Sequence, residues 1–165
     1  MQKIDIVEMR REWLGEAARI YQWYVDNSTA TFQIAPTSEA EMEGLLFFKK
    51  DRYRSFGVFE GETFVGYGIV TQFKTREAYD TTAEVTIYLD HRATGKGYGR
   101  AIVERLEAFA RSQKLHSLLA IISGENEASI KLFSRLGYSE CARYKEVGRK
   151  FGRWLDVVTL GKILD

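Results

Sequence analysis

Residues 91 to 109, HRATGKGYGRAIVERLEAF, set Gly95, Gly97 and Gly99 at alternate positions just ahead of a helical pattern. Glycine removes the side chains that hold a ligand away from the backbone, so bare N–H groups can approach an anion. The start of a helix adds about half a positive charge at the same place. Lys96 and Arg100 contribute formal positive charge, with Tyr98 between them. The chemistry indicated is the cradling of a phosphate. Three common glycine loops do not fit. The dinucleotide fingerprint G-x-G-x-x-G and the kinase glycine loop both need glycine where Arg100 stands. The P-loop needs a Gly-Lys-Ser/Thr ending that this stretch lacks. A glycine-rich turn with no ligand is the other reading, and the neighbouring elements must decide.

The loop follows AEVTIYL, an alternating strand. Its pleat puts Glu84, Thr86 and Tyr88 on one face and Val85, Ile87 and Leu89 on the other. After the loop, Ile102, Val103, Leu106, Phe109 and Ala110 form one apolar face of a helix. Upstream, KIDIVEM reads as a strand, and Trp13, Ala17, Ile20, Tyr21 and Tyr24 recur at helical spacing. DNSTATFQIAPTS is a loop, and Ser38 is placed to cap a helix running to about Lys50. SFGVFE and TFVGYGIVTQF read as a hairpin turned at Gly61 and Glu62. Downstream, SLLAIIS has the continuous apolar character of a buried central strand. ENEASIKLFSRLGY is a short helix closed by Gly137, and two strands follow around SECARYKEV and WLDVVTLGKIL. Strands outnumber helices, which predicts a mixed α/β sheet with helices packed on it.

The 165 residues suit one domain, 1–165, because no linker or repeat interrupts them. A net charge of +1 argues against a general affinity for nucleic acid. Cys141 is the single cysteine, so no internal disulfide forms, and with only His91 and His116 beside it no zinc-type cluster is expected. Met1 leads straight into the first strand pattern, and no apolar run nears the roughly 20 residues that cross a bilayer. A cytoplasmic protein with no membrane partner is the expectation.

The strand, glycine loop and helix together resemble the acetyl-CoA signature of the GNAT superfamily of N-acetyltransferases, Arg/Gln-x-x-Gly-x-Gly/Ala. Gly97 and Gly99 match its glycines, while Thr94 stands where the family has Arg or Gln. Arg92, two residues upstream, is a candidate to compensate. Four further stretches, IYQWYVDNSTATF, EAYDTTAEVTIYL, ENEASIKLFSRLGY and EVGRKFGRWLD, resemble the phosphinothricin and methionine sulfoximine N-acetyltransferases. That resemblance covers nearly the whole chain, and GRKFGRWLD is its most specific piece. It implies the GNAT fold: a mixed, mostly antiparallel sheet, splayed at the acetyl-CoA site and flanked by about four helices. It also implies acetyl-CoA as cosubstrate, a small-molecule amine as acceptor, a homodimer and no metal.

The resemblance puts the catalytic glutamate at Glu84. An ammonium has no lone pair to attack a thioester, so a carboxylate that removes its proton is the general base that the reaction needs. The backbone of Ile87, Tyr88 and Leu89 is implied to pair with the extended pantetheine arm, as an added strand would. The pyrophosphate is implied at Gly95, Lys96, Gly97, Tyr98, Gly99 and Arg100. Asn126 and Ser129 are implied to contact CoA, though both residue types also cap helices well. Lys74 and Arg76 stand where the family often has Arg-x-Arg, a pattern suited to clamping a carboxylate or phosphinate. Arginine binds such groups bidentately and lysine only as a point charge. Phe32, Tyr79 and Thr82 are expected to line the same acceptor pocket.

Phe133 replaces the His or Tyr thought to protonate the departing thiolate. It either slows the reaction or simply packs against CoA or the core. Arg149, Lys150 and Arg153 lie among aromatics in GRKFGRW, a pattern that also suits single-stranded nucleic acid. Three charges in a near-neutral chain carry that reading weakly, and Trp154 is expected to anchor the last strand or a dimer contact. Acetylation of a protein N-terminus or lysine, and a CoA-binding sensor with little catalysis, are the alternatives.

Overall fold

The computed structural model describes residues 2–165. Its elements run β1 (Ile4–Glu8), α1 (Leu14–Asn27), α2 (Glu39–Leu46), β2 (Arg54–Glu60), β3 (Thr63–Gln72), β4 (Thr82–Leu89), α3 (Tyr98–Ser112), β5 (Ser117–Ser123), α4 (Glu127–Arg135), β6 (Ser139–Lys150) and β7 (Arg153–Ile163). The strands form one sheet in the order β1-β2-β3-β4-β5-β7-β6. Every neighbouring pair is antiparallel except β4 and β5. This is the mixed sheet with packed helices that the sequence pattern predicts, and its mostly antiparallel order with four α-helices is what the family resemblance implies.

Alternation along each strand divides the apolar residues between two clusters. One gathers Phe56, Val58, Val85, Ala120 and Ile122 beneath the apolar faces of α3 and α4. The other gathers Phe64, Tyr67 and Ile69 with Leu14, Ala17, Ile20, Val25 of α1 and Met42, Leu46 of α2. α3 and α4 therefore cover one face of the sheet, and α1 and α2 the other.

Ser38 caps α2 by accepting from the Glu41 N–H at 3.1 Å. The helix ends at Leu46, not near Lys50, because Phe47 turns extended. Phe47 and Phe48 both pack on the core from that extended segment.

β6 and β7 are joined by Phe151 and Gly152, whose φ angles of 51° and 76° are both left-handed. That is the geometry of a two-residue type I′ hairpin, whose twist suits the flanking strands. β6 also shifts register between Glu140 and Ala142 and again between Tyr144 and Gly148. Among the described residues no helix is long and apolar enough to cross a membrane.

Candidate active site

The parallel pairing of β4 with β5 is short. It runs from Thr82 opposite Ser117 to Glu84 opposite Leu119 and then stops. Past that point β4 continues on β3, through Leu89 opposite Gly66, and β5 continues on β7, through Ser123 opposite Val157. The two strands diverge and leave a cleft of about 720 Å³ between them. Val85 to Leu89 form one wall, and Ala120 to Ile122 form the other. The start of α3 and the side chains of α4 close the end.

Gly97 sits at the N-cap of α3 with φ +82°, a conformation that costs a non-glycine residue about 1–2 kcal/mol. No side chain caps this helix, so the first N–H groups of its 15 residues face the cleft mouth. Thr94, Gly95, Gly97, Tyr98, Gly99 and Arg100 all border the cleft. Asn126 and Ser129 border it as well, and the Asn126 side chain accepts the Ser129 N–H at 3.3 Å. Capping occupies the Asn126 oxygen and leaves its amide nitrogen to donate elsewhere.

Four residues of this region, Arg92, Thr94, Lys96 and Tyr98, are committed to other contacts. Lys96 does not border the cleft: its ammonium lies 3.0 Å from the Glu60 carboxylate at the end of β2. Tyr98 is buried, and its hydroxyl donates to the same carboxylate. That bond pushes its pKa up to about 12, so the proton stays on the phenol. Arg92 does not take the place of the missing loop arginine, because Asp90 holds it through Nε at 3.0 Å and Nη2 at 2.8 Å. Thr94 turns its hydroxyl to the His91 carbonyl at 3.0 Å.

Asp90 is the hub of this region. Its carboxylate is buried and also accepts from the Arg92 N–H at 3.0 Å and from Arg19 of α1 at 3.1 Å. The Asp90 N–H donates to Val65 at 2.7 Å, and the neighbouring His91 stacks on Trp23 of α1 with ring centroids 4.1 Å apart. The hydrogen bonds from the Arg92 guanidinium hold the Asp90 carboxyl well below the usual carboxylate range. Nothing in the glycine pattern announces this hub, although the adjacent letters D, H and R at 90–92 give the acid and one of its bases. Glu60 had no such signal, since it reaches the loop from a distant strand.

Glu84 stands at the last residue pair before the strands part. Its β3 partner is Thr71 and its β5 partner is Leu119. It is half-buried, and desolvation raises its pKa. The cleft touches Val85 and Thr86, the two residues that follow it. Thr86 and Tyr88 share Glu84's face of the sheet, toward α1, where the Tyr88 hydroxyl lies 3.4 Å from the Ala30 carbonyl. Ile87, Tyr88 and Leu89 all border the cleft, but the Leu89 carbonyl already accepts the Tyr24 hydroxyl at 2.6 Å. Phe133 borders the cleft with a buried ring set edge-on to Tyr138, 5.0 Å between centroids, and has no proton to donate.

The acceptor-side candidates come from separate elements. Lys74 is exposed, and its ammonium sits 5.3 Å from the ring centres of both Phe73 and Tyr79. Arg76 is exposed at the start of the short turn Glu77–Tyr79, and Thr82 opens β4 just beyond it. Phe32 follows α1, and its ring lies over Gly148 of β6. The basic cluster of GRKFGRW does not form an open cationic strip. Lys150 is buried, Arg149 lies 4.7 Å over the Trp154 ring, and Arg153 pairs with Glu125 at 2.6 Å.

A splayed β4–β5 seam with a glycine-lined helix start at its mouth is one half of the identification. The other half is the match of residues 7–159 to the family model for the acetyltransferase (GNAT) domain. The chain belongs to the GNAT acetyltransferases. It is 34% identical over 142 residues to the phosphinothricin N-acetyltransferase of Streptomyces coelicolor, covering 84% of this chain and 83% of that protein. It is 32% identical over 151 residues to the L-methionine sulfoximine/L-methionine sulfone acetyltransferase of Pseudomonas aeruginosa, covering 88% and 86%. A GNAT superfamily phosphinothricin acetyltransferase from Sinorhizobium meliloti, crystallised in complex with acetyl-CoA, superposes with a TM-score of 0.92 at 29% identity, covering 99% of this chain and 89% of that one. This GNAT protein is an N-acetyltransferase.

Proposed function

We propose that the protein transfers the acetyl group of acetyl-CoA to the α-amino group of a small amino acid or analogue of the phosphinothricin, methionine sulfoximine or methionine sulfone type. The observation that carries this reading is Glu84, half-buried at the apex of the β4–β5 divergence. In this reading the pyrophosphate lies on the N–H groups opening α3, the pantetheine arm follows the free edge of β4, and the thioester reaches the apex. Arg76, with Lys74, meets the carboxylate of the acceptor, and Phe32, Tyr79 and Thr82 shape its pocket. The exposed Tyr144, Val147, Phe151 and Trp154 of the β6–β7 hairpin support a homodimer.

Chemistry then follows from proton bookkeeping. Glu84 takes one proton from the substrate ammonium. The freed lone pair attacks the thioester carbonyl and forms the C–N bond. The C–S bond breaks with its electron pair on sulfur, and the proton still carried by nitrogen passes to the thiolate. A thiol of ordinary pKa near 8.5 is a fair leaving group, so Phe133 in place of an acid slows the reaction without stopping it. Holding both reactants together supplies much of the acceleration, about 7–11 kcal/mol in favourable cases.

The test is release of free CoA thiol from acetyl-CoA with a panel of amino acids that includes methionine sulfoximine, methionine sulfone and phosphinothricin. Amine-dependent release is the expected result. Acetyl-CoA binding by calorimetry with no release under any amine would instead make the chain a sensor. Thr94→Arg restores the family's loop residue beside the cleft, and is expected to lower the acetyl-CoA Kd about three- to tenfold through one charge-assisted contact, read by the same calorimetry.

A further inference from the structure

GRKFGRWLD is the most specific piece of the family resemblance, and the catalytic reading leaves its Gly148 and Lys150 without a task. Its residues converge on the segment 28–32 that follows α1. The buried Lys150 ammonium donates to the carbonyls of Ser28 at 2.6 Å, Thr31 at 2.9 Å and Tyr24 at 3.4 Å. The Tyr24 carbonyl belongs to the last turn of α1, where a cation also meets the negative pole of the helix. Two residues earlier on the strand, Gly148 leaves room for Phe32. A Cβ there would stand 2.5 Å from Phe32 Cε2 and 2.6 Å from Cδ2, closer than carbon atoms approach. Across the turn, Arg153 binds Glu125 at 2.6 and 3.2 Å, and Glu125 accepts the Thr29 hydroxyl at 2.5 Å.

The carbonyls of Ser28 and Thr31 and the ring of Phe32 are thus each gripped by a different part of one hairpin tip, and Thr29 is tied to it through Glu125. The grip is stiff because the left-handed Phe151–Gly152 turn fixes Lys150 opposite Arg153. We infer that this tip is a positioning device for the acceptor loop, with Lys150 and Gly148 setting the place of Phe32 and so the acceptor's fit. The inference rests on the proposed acceptor role of Phe32. It assigns Lys150 and Gly148 no contact with substrate.

Steady-state kinetics with acetyl-CoA and the fastest acceptor of the panel, each varied, tests it on Gly148→Ala, Lys150→Met and Phe32→Ala, with thermal midpoints beside them. Gly148→Ala keeps the ammonium and decides the matter if Lys150→Met does not fold. The expected result is an acceptor KM raised on the order of tenfold to a hundredfold in all three variants, with the acetyl-CoA KM changed less than about twofold. A fall in thermal midpoint alone, or equal losses for both substrates, would overturn the inference. If Phe32→Ala raises the acceptor KM and the hairpin variants do not, the positioning role fails while the acceptor reading stands. If Phe32→Ala leaves that KM unchanged, the acceptor reading fails and takes the inference with it.

Discussion

Glu84→Gln is expected to lower kcat by about 10²–10⁴-fold, the usual span for a positioned general base, while the acetyl-CoA Kd from calorimetry stays within about twofold. The side chain keeps its shape and loses only its basicity. The pH profile carries the sharper signature. Desolvation raises the Glu84 pKa, so the wild-type rate should climb through a limb displaced upward from the ordinary glutamate value. That limb should vanish in the variant. The stability effect runs the other way. A group whose folded pKa is raised stabilises the fold below its unfolded pKa, and that contribution is lost as pH rises through the folded value. At neutral pH the wild type holds a half-buried charge that the glutamine does not. Glu84→Gln should therefore have the higher thermal midpoint at pH 7, and the gap should narrow as the solution is acidified through the raised folded value, closing below the unfolded one. A slower but more stable variant is the pattern expected of a strained catalytic group. An unchanged rate across pH would remove Glu84 from the chemistry.

Asp90→Ala is expected to weaken acetyl-CoA binding on the order of tenfold or more and to lower the thermal midpoint by several degrees. The substitution leaves Arg19, Arg92 and the Arg92 N–H without their shared acceptor. It also releases the strand end from which the glycine loop departs. The loss should appear in the KM for acetyl-CoA more than in kcat at saturation, because the reacting groups stay in place. Its pH dependence is opposite to that of Glu84. The Asp90 pKa is depressed, first by the Arg92 side-chain hydrogen bond, so its stabilisation is present above the unfolded carboxylate pKa and lost as pH falls toward the folded value. Wild type and variant should converge in acid. Equal acetyl-CoA affinity in the two proteins at pH 7 would show that the loop holds its shape without this hub.

The sequence made some of this arrangement legible and hid the rest, for physical reasons. Alternation in AEVTIYL identified the Glu84 face because side-chain direction in a strand is a local property. The glycines of the loop were legible for the same reason: left-handed backbone at Gly95 and Gly97 is written into residue type. The contacts that fix the loop are not local. Glu60 reaches Lys96 across 36 positions, and Lys150 reaches Thr31 across 119. No periodicity encodes such pairs. Lys96 was therefore read as a phosphate ligand when the fold gives it a carboxylate, and Arg92 as a substitute for Thr94 when Asp90 already holds it. Lys150 was grouped with Arg149 and Arg153 as one basic cluster, but it alone is buried, and the carbonyls of Tyr24, Ser28 and Thr31 make its burial tolerable. The early end of α2 at Leu46 was hidden because a run of four apolar residues has no period to read.

Only three residue pairs join β4 to β5. On one side of that seam β1 to β4 form an antiparallel block, and on the other β5, β7 and β6 form a second. Each block is one continuous stretch of chain, so the sheet is built as two leaves hydrogen-bonded at a narrow spine, with one core beneath α3 and α4 shared by both. A donor arm lodged between the leaves would act as a spline across the gap, bonded to one and packed on the other. The protein's cohesion should then depend on how much donor surrounds it, with roughly 2.7 kcal/mol added at a hundred times the dissociation constant. Scarcity of the donor would reach the enzyme twice over, as lost turnover and as a looser molecule more readily opened along its spine.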